Sequence, residues 1–507
     1  MNQDHDPLSD HRLVQTDALT GDLRRHSVQA GAAAIAGQLA TNILHLVATM
    51  VLARMLMPSD FGLVAMVLVV VAFTAMLRDL GLSAATVQRQ DIGIHHVSAL
   101  FWVNVGMSIL LTAVIFASAP AVAWFYDEPR VMPITQALAF VSLIDGISIQ
   151  HQALLRRQLR LGMLAVIEII ALVCSIGAAI FMASRGAGYW ALVGMQLIQV
   201  SVRTVLFWLL TGWKPMLRLN LNEVKSLLSF GGFITGSRFL NTLTRTIDKL
   251  LIGKLVSAEQ LGIYSKAFNG VLLPFDRLTW ALSRVAVPTL SRLQDDPDRF
   301  RRFYQKAVLL IVTFAFPAIT CVYLQAEAAV LIILGDQWLS AVPLIQLLAP
   351  VAATAMLSAT VRWIFVSLGR AGRLLKWRMF ESTVKIIGIV VGVQWGASGV
   401  ALALLIVNLA LLFPSLWYCF QETKIRLSDI LAAAWKPSLA TVIAAVAIGL
   451  FRFSGPPAVN VVTGFLVETA LFIVIYLATW LIMPGGRVTL IELLSLAREL
   501  RRKPSGS

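Results

Sequence analysis

Long apolar runs, most of them twenty residues or more, recur along the whole chain and are separated by short polar stretches. A run of that length crosses the hydrocarbon of a bilayer as an α-helix, since about 20 residues at 1.5 Å rise cover about 30 Å. The pattern predicts spans over approximately 28–52, 60–80, 97–120, 132–154, 163–183, 187–210, 228–252, 262–287, 304–326, 342–367, 377–395, 397–420, 430–452 and 459–483, about 14 in all. Pro274, Pro317, Pro350 and Pro414 fall inside these runs, where spanning helices tolerate them as kinks.

One stretch, residues 229–265, breaks the apolar rule. It carries Arg238, Arg245, Asp248 and Lys249 inside a run long enough to span. A charge at the bilayer centre costs about 2.5–3.5 kcal/mol on insertion scales. Helical spacing gathers Arg238, Asn241, Thr242, Arg245, Asp248 and Lys249 on one broad face. Such a face belongs against water or a polar partner, so this helix is expected to form one wall of a hydrated, cation-lined cavity.

The same stretch recurs 200 positions earlier. Gly31 falls on Gly231, Arg54 on Lys254, and Phe61-Gly62-Leu63 on Leu261-Gly262-Ile263. Farther along the shift is 210: Pro133, Gln136, Leu138 and Ala139 match Pro343, Gln346, Leu348 and Ala349. Arg160 and Gly162 match Arg370 and Gly372, and Gly186-Ala187 matches Gly396-Ala397. An ordered series with one slippage argues for duplication, with about six spans per half and therefore parallel repeats. Transport sites commonly lie at the interface of two such repeats.

Composition sharpens this picture. Hydrophobic residues make up 58% and charged residues 14% of the 507, with a mean hydropathy of +0.78, which fits only a polytopic membrane protein. The net charge of +15 sits in loops between apolar runs, so it reads as a topology determinant and not as a nucleic-acid surface. Lys and Arg concentrate on the side that holds both termini, and 288–306 is the richest loop there; both termini are expected in the cytoplasm. Cys174, Cys321 and Cys419 lie within spans, lack metal-ligand spacing and read as small core residues. The expected division is a disordered tail over 1–27, a six-helix bundle over 28–210, a cytoplasmic linker over 211–227, a second six-helix bundle over 228–420, two additional helices over 421–483, and an amphipathic basic tail over 484–507 lying on the inner membrane surface.

The search for an active site is negative. There is no Walker A loop, HExxH, nucleophile elbow or dinucleotide turn, and no cofactor or metal is expected. Asp295-Asp296-x-Asp298 reads as the cap of a helix starting near Pro297, and His95-His96 as solvated loop. What remains is polar stripes inside spans. Gln38, Thr41, Asn42, His45 and Thr49 share a face of the first helix, where Gln38 corresponds to Arg238 and His45 to Arg245. On the fourth helix Asp145, Ser148, Gln152 and Arg156 line up, and Gln152 corresponds to Arg362. Arg238, Asn241, Arg245, Arg362, Gln38, His45 and Gln152 are therefore the candidate cargo-binding residues. Arginine's planar fork grips phosphate bidentately, while amides and hydroxyls suit sugars. Asp145, Glu168, Asp248 and Asp276 are candidates for ion coupling, Asp145 foremost, with Asp248 within helical reach of Arg245 and Lys249. Glu381 and Lys385, four apart, are expected to pair.

The chain resembles the polysaccharide transporter, or oligosaccharide flippase, family, whose superfamily also holds the multidrug and toxin extrusion exporters and the lipid II flippases. The resemblance covers about 27–483 and rests on Asp79-Leu80-Gly81-Leu82-Ser83-Ala84-Ala85 with Gln88, on Asp248-Lys249-Leu250-Leu251-Ile252-Gly253-Lys254 and on Leu261-Gly262-Ile263-Tyr264-Ser265. Pro288-x-Leu290-Ser291-Arg292, Gly335-Asp336-x-Trp338 and Gly186-Ala187-Gly188-Tyr189-Trp190 add to it. It implies an all-α polytopic protein of two six-helix bundles plus two extra helices, in a bacterial inner membrane. It implies as cargo an undecaprenyl-pyrophosphate-linked oligosaccharide destined for exopolysaccharide or lipopolysaccharide. Membrane lipids and a polysaccharide polymerase with export machinery are the implied partners. The competing expectation is a multidrug exporter of the same superfamily, which would carry an acidic or aromatic pocket; the basic face opposes it.

Overall fold

The computed structural model describes residues 23–79, 81–88, 92–216, 242, 244–421, 423–454, 460–484 and 486. All of its regular structure among these residues is helical. In chain order the helices are α1 (Leu23–Met55), α2 (Pro58–Asp79), α3 (Leu82–Gln88), α4 (Ile94–Tyr126), α5 (Val131–Gly146), α6 (Ile149–Arg157), α7 (Leu161–Ser184), α8 (Tyr189–Thr211), α9 (244–255), α10 (Ala258–Arg292), α11 (Pro297–Leu324), α12 (Ala326–Ile333), α13 (Val342–Ser367), α14 (Ala371–Gly392), α15 (Gly396–Phe420), α16 (Leu427–Ser454) and α17 (Val461–Ile482).

Eleven segments among the described residues are long and apolar enough to cross a membrane. The expected 14 is not reached by this criterion. Ala371–Phe420 counts once yet contains both α14 and α15; α10 carries Lys266, Asp276, Arg277, Arg284 and Arg292; and most of 228–252 lies outside the described residues. Large apolar side chains stand exposed on these helices, among them Leu209, Phe453 and Ile482. Lipid tails are the solvent that such surfaces match.

The chain forms two compact units, residues 1–262 and 263–507. In the first, α4 packs on α5, α7 on α8 and α1, and α5 also on α2 and α8. In the second, α13 packs on α15 and α11, α15 on α14, and α11 on α16, which pairs with α17. The last helix, α17, is fixed by polar contacts as well as by packing: Tyr476 donates to the Thr313 carbonyl at 2.8 Å, and Gln325 donates to Thr469 Oγ1 at 2.8 Å.

Local geometry repeats at the spacings found in the sequence. Before α7, Leu159 takes φ +55° and the Arg160 amide reaches back to the Leu155 carbonyl. Before α14, 210 residues later, Gly369 takes φ +69° and the Arg370 amide reaches the Phe365 carbonyl. Gly186 and Gly396 also share positive φ, at +77° and +72°. At the shift of 200 the first turns of α2 and α10 meet reciprocally. A Cβ on Gly62 would strike the Ala258 carbonyl, and one on Gly262 would strike the Pro58 carbonyl. Glycine is required where backbones approach that closely.

Several sequence expectations change. α1 begins at Leu23, inside the stretch expected as a disordered tail, because good helix formers extend a helix back from an apolar run. α10 runs on to Arg292, into the expected loop 288–306, while the helix expected to start near Pro297 does so and Asp296 caps it by accepting from the Arg299 amide at 3.0 Å. Residues 212–216, at the start of the expected linker, pack against the helices before them. Trp213 is buried in a cluster with Leu100, Phe101 and Leu154, and Trp102 donates to the Met216 carbonyl. Cys419 is buried as expected, whereas Cys174 is exposed and is no core residue. The basic tail 487–507 lies outside the described residues.

Candidate functional site

The fourth span is not one helix. It ends at Gly146 and restarts at Ile149, and α8 supplies what the break leaves open. Thr204 Oγ1 donates to the Ile144 carbonyl at 3.0 Å and Trp208 Nε1 to the Ile147 carbonyl at 3.1 Å. Ser148 Oγ donates to the Asp145 carbonyl at 2.9 Å. A broken helix inside a membrane survives only when such partners replace the lost ladder. Glycine at 146 lets the break approach α4, where Ser108 would meet any side chain.

Asp145, just before the break, is held from two sides. One carboxylate oxygen takes the Arg78 guanidinium, and the other takes Arg203 NH2 at 2.5 Å. Arg203 NH1 lies 3.6 Å from Glu168, whose other oxygen accepts from Gln199 at 3.1 Å. Two arginines and two carboxylates thus form a charge-balanced network across α2, α5, α7 and α8. Asp145, foremost among the ion-coupling candidates, is therefore committed to two guanidiniums, which stabilise its charge and repel a cation. Glu168 is the more open carboxylate, with a side chain 35% exposed against 19% for Asp145.

The sequence segment from Asp79 to Gln88 builds a brace beside this network. The Asp79 carboxylate accepts from the Ser83 amide at 2.9 Å and from Ser83 Oγ at 2.7 Å. Gly81 turns the chain at φ +73°, a conformation that costs other residues strain. The short helix α3 that follows places Thr86 to donate to Gln150 at 2.8 Å, while Arg157 donates to the Thr86 carbonyl at 2.9 Å. The motif is thus a cap, a turn and a support for α6.

Of the other candidates, Gln38 and His45 are exposed on α1, where Gln38 donates to Asn42 at 3.1 Å; Gln152 is half-buried on α6. Arg238 and Asn241 lie outside the described residues. Arg245 is exposed on α9, and Asp248 is buried and accepts from the Lys249 amide at 2.8 Å. Asp276 is exposed on α10. In the second unit Arg362 donates to Ser283 Oγ at 3.3 Å, beside Trp363, whose indole donates to the same oxygen at 2.6 Å. Glu381 pairs with Lys385 at 2.7 Å, as its spacing implied, and also with Arg378 at 3.2 Å. Sequence reasoning missed Arg78 and Gln199. Arg78 sits at a span end, where arginine ordinarily reads as a topology determinant, and only its neighbour in the Asp79 motif marked the place. Among the described residues no group of His, Cys, Asp and Glu is arranged to hold a metal ion.

A search against known proteins accounts for this architecture. Residues 51–343 match the model of the family described as "Polysaccharide biosynthesis protein". The chain is 28% identical over 387 residues to the teichuronic acid biosynthesis protein TuaB of Bacillus subtilis (strain 168), covering 75% of this chain and 79% of that one. It is 26% identical over 457 residues to the succinoglycan biosynthesis transport protein ExoT of Rhizobium meliloti (strain 1021), covering 90% and 92%. Its fold is similar to that of the lipid II flippase MurJ in an inward closed conformation, with a TM-score of 0.67 at 15% identity over 88% of this chain and 98% of that one. The match extends over more than half of the chain, from α1 to the start of α13, and the chain is a multi-span membrane protein belonging to the polysaccharide biosynthesis protein family.

Proposed function

We propose that this protein is a flippase, and not an enzyme, that carries a lipid-linked oligosaccharide from the cytoplasmic to the outer leaflet of a bacterial inner membrane. The cargo is an undecaprenyl-pyrophosphate-linked oligosaccharide for exopolysaccharide or lipopolysaccharide, moved by alternating access, with both chain termini cytoplasmic. The observation that carries the reading is that the family match spans the helices whose apolar runs hold Arg203 and Arg245. Charges at that depth are expensive and mark a polar path. The relatives' names, which speak of surface-polysaccharide synthesis and in one case of transport, support the same cargo class.

In this mechanism Arg238, Arg245 and Arg362 grip the pyrophosphate, while Asn241, Gln38, His45 and Gln152 meet sugar hydroxyls. The Asp145 network keeps the first half neutral and holds the broken span. Of the ion-coupling candidates, Glu168 is better placed than Asp145, because it is more exposed and shares only one arginine. Asp248 and Asp276 remain the candidates on α9 and α10. A polysaccharide polymerase and export machinery would receive the cargo on the far side.

Deletion in the native cell tests this directly. A lipid-linked oligosaccharide should accumulate, accessible only from the cytoplasmic leaflet. Accumulation on the outer leaflet, or of no lipid-linked intermediate, would refute the assignment.

A further inference from the structure

The exposed flank of α10 carries two side chains, Trp280 and Arg284, to which the mechanism above gives no role. Arg284 lies one helical turn beyond Trp280, with its guanidinium carbon 3.6 Å from the centre of the indole ring. Both side chains are exposed, Trp280 by 56%. Ser283 sits between them in sequence but faces inward, where it accepts from Trp363 at 2.6 Å and from Arg362 at 3.3 Å. At about 100° per residue, Ser283, Trp280 and Arg284 follow one another around a third of the helix circumference. The Arg362 guanidinium therefore reaches α10 at the same level as the stacked pair. Asp276 and Arg277 are about one turn earlier, so these residues hold three arginines to one carboxylate.

Stacking does two things for Arg284. It steadies the guanidinium over the ring face, which leaves N–H groups to grip a ligand. It also removes rotamer freedom before any ligand arrives, which reduces the entropy cost of gripping one. Two forks at one level suit two adjacent phosphates better than one. The indole beside them offers an apolar surface for the first isoprene unit. Trp280 lies 22 residues from Ala258, about 33 Å along the helix, or one hydrocarbon thickness from the start of α10.

We propose that Arg284, stacked on Trp280, and Arg362 form a diphosphate-binding site that takes the head of a prenyl diphosphate. The inference deepens the flippase reading and rests on it for the direction of transport. Bulk anionic phospholipid is the other source of phosphate, and the experiment separates the two.

The full-length protein is placed in nanodiscs of phosphatidylcholine, with or without phosphatidylglycerol, and titrated with farnesyl diphosphate and farnesyl monophosphate. The diphosphate should bind more tightly than the monophosphate in both lipids. Arg284→Ala should weaken diphosphate binding at least about tenfold, and Arg284→Lys nearly as much, since an ammonium offers no planar fork. Trp280→Ala should weaken it several-fold and Trp280→Phe little, with melting temperatures unchanged because both positions are exposed. Binding by Arg284→Ala and Trp280→Ala within twofold of wild type overturns the site. A preference for diphosphate that disappears when phosphatidylglycerol is added overturns it too, in favour of bulk lipid. If the wild-type protein binds no prenyl diphosphate, both the site and the flippase reading fail; wild-type binding untouched by the variants removes the site alone.

Discussion

Replacing Asp145 by Asn keeps the shape of the side chain and removes the charge that two arginines share. The side chains of Arg78, Asp145 and Arg203 are only 11%, 19% and 23% exposed, so water compensates little. Removing one partner of a buried ion pair costs about 3–5 kcal/mol, because the remaining charge is left uncompensated. Glu168, 3.6 Å from Arg203, still neutralises part of what is left, which places the expected loss near the lower bound, about 3 kcal/mol. At roughly 2–4 °C per kcal/mol for a unit of this size, melting of the detergent-solubilised protein should fall by about 6–12 °C. Adding Arg78→Gln to Asp145→Asn restores the balance of charge, and the pair should recover at least half of the loss. A carrier of the coupling ion would behave differently. If Asp145→Asn melts within about 2 °C of wild type yet no longer transports, the carboxylate serves the ion and not the arginines, and the clamp is refuted.

Gly81→Ala should destabilise by about 1–2 kcal/mol through its φ of +73°, with Gly81→Asn losing less, as read by thermal unfolding. Gly62→Ala and Gly262→Ala each drive a Cβ onto a backbone carbonyl and should cost about 1–3 kcal/mol, exposing the 56–60 and 256–260 segments to protease; resistance equal to wild type would contradict the close approach. Arg301→Ala strips a bidentate partner from the buried Asp429 and should lower the melting temperature clearly, whereas Lys424→Ala breaks only an exposed pair with Asp298, worth about 0–1 kcal/mol. A cargo bearing about two negative charges gains about 4–5 kcal/mol per 100 mV on leaving an inside-negative compartment. Flipping in vesicles should therefore quicken under an imposed potential without any ion gradient, and equal rates at zero potential would exclude an electrical drive.

The helices were legible because apolar runs of membrane-spanning length have few alternative structures. The duplication was legible because residues that repeat, Gly62 with Gly262 and Gly186 with Gly396, are those that backbone geometry restricts. Pairings such as Glu381 with Lys385 could be read because both partners lie on one helix. The Asp145 network could not be read that way. Its members come from four helices, and nothing in their spacing tells a carboxylate shared by two arginines from one waiting for an ion. The break at Gly146 was hidden for a similar reason. Its local sequence is apolar enough to continue, and the residues that hold it open, Thr204 and Trp208, lie some 60 positions away. The Gly212–Met216 strap was missed because its anchors, Ser98 and Trp102, precede it by more than 100 residues.

Backbone and charge have followed different courses in the two halves. The turn before α7 and the turn before α14 make the same hydrogen bonds 210 residues apart, so the scaffold has been kept. The network of the first half has not. At the shift of 210, Asp145, Glu168 and Arg203 correspond to Ala355, Arg378 and Phe413, and at the shift of 200 Arg78 corresponds to Leu278. Conversely, Arg362 corresponds to Gln152, and Arg245 to His45. The charges were thus free to change while the turns were not, because turn geometry depends on φ values that few residues adopt, whereas a face lining water accepts many side chains. A duplicated chain with a self-neutralised half and a cationic half suits a cargo that is itself asymmetric. A neutral glycan joined to a diphosphate has that character, and a symmetrical organic cation does not. Exchanging Gln152 with Arg362, as Gln152→Arg and Arg362→Gln together, keeps the net charge and reverses this polarity. The exchanged protein should fold and fail to transport; transport at the normal rate would mean that the placement of charge between the halves carries no information about the cargo.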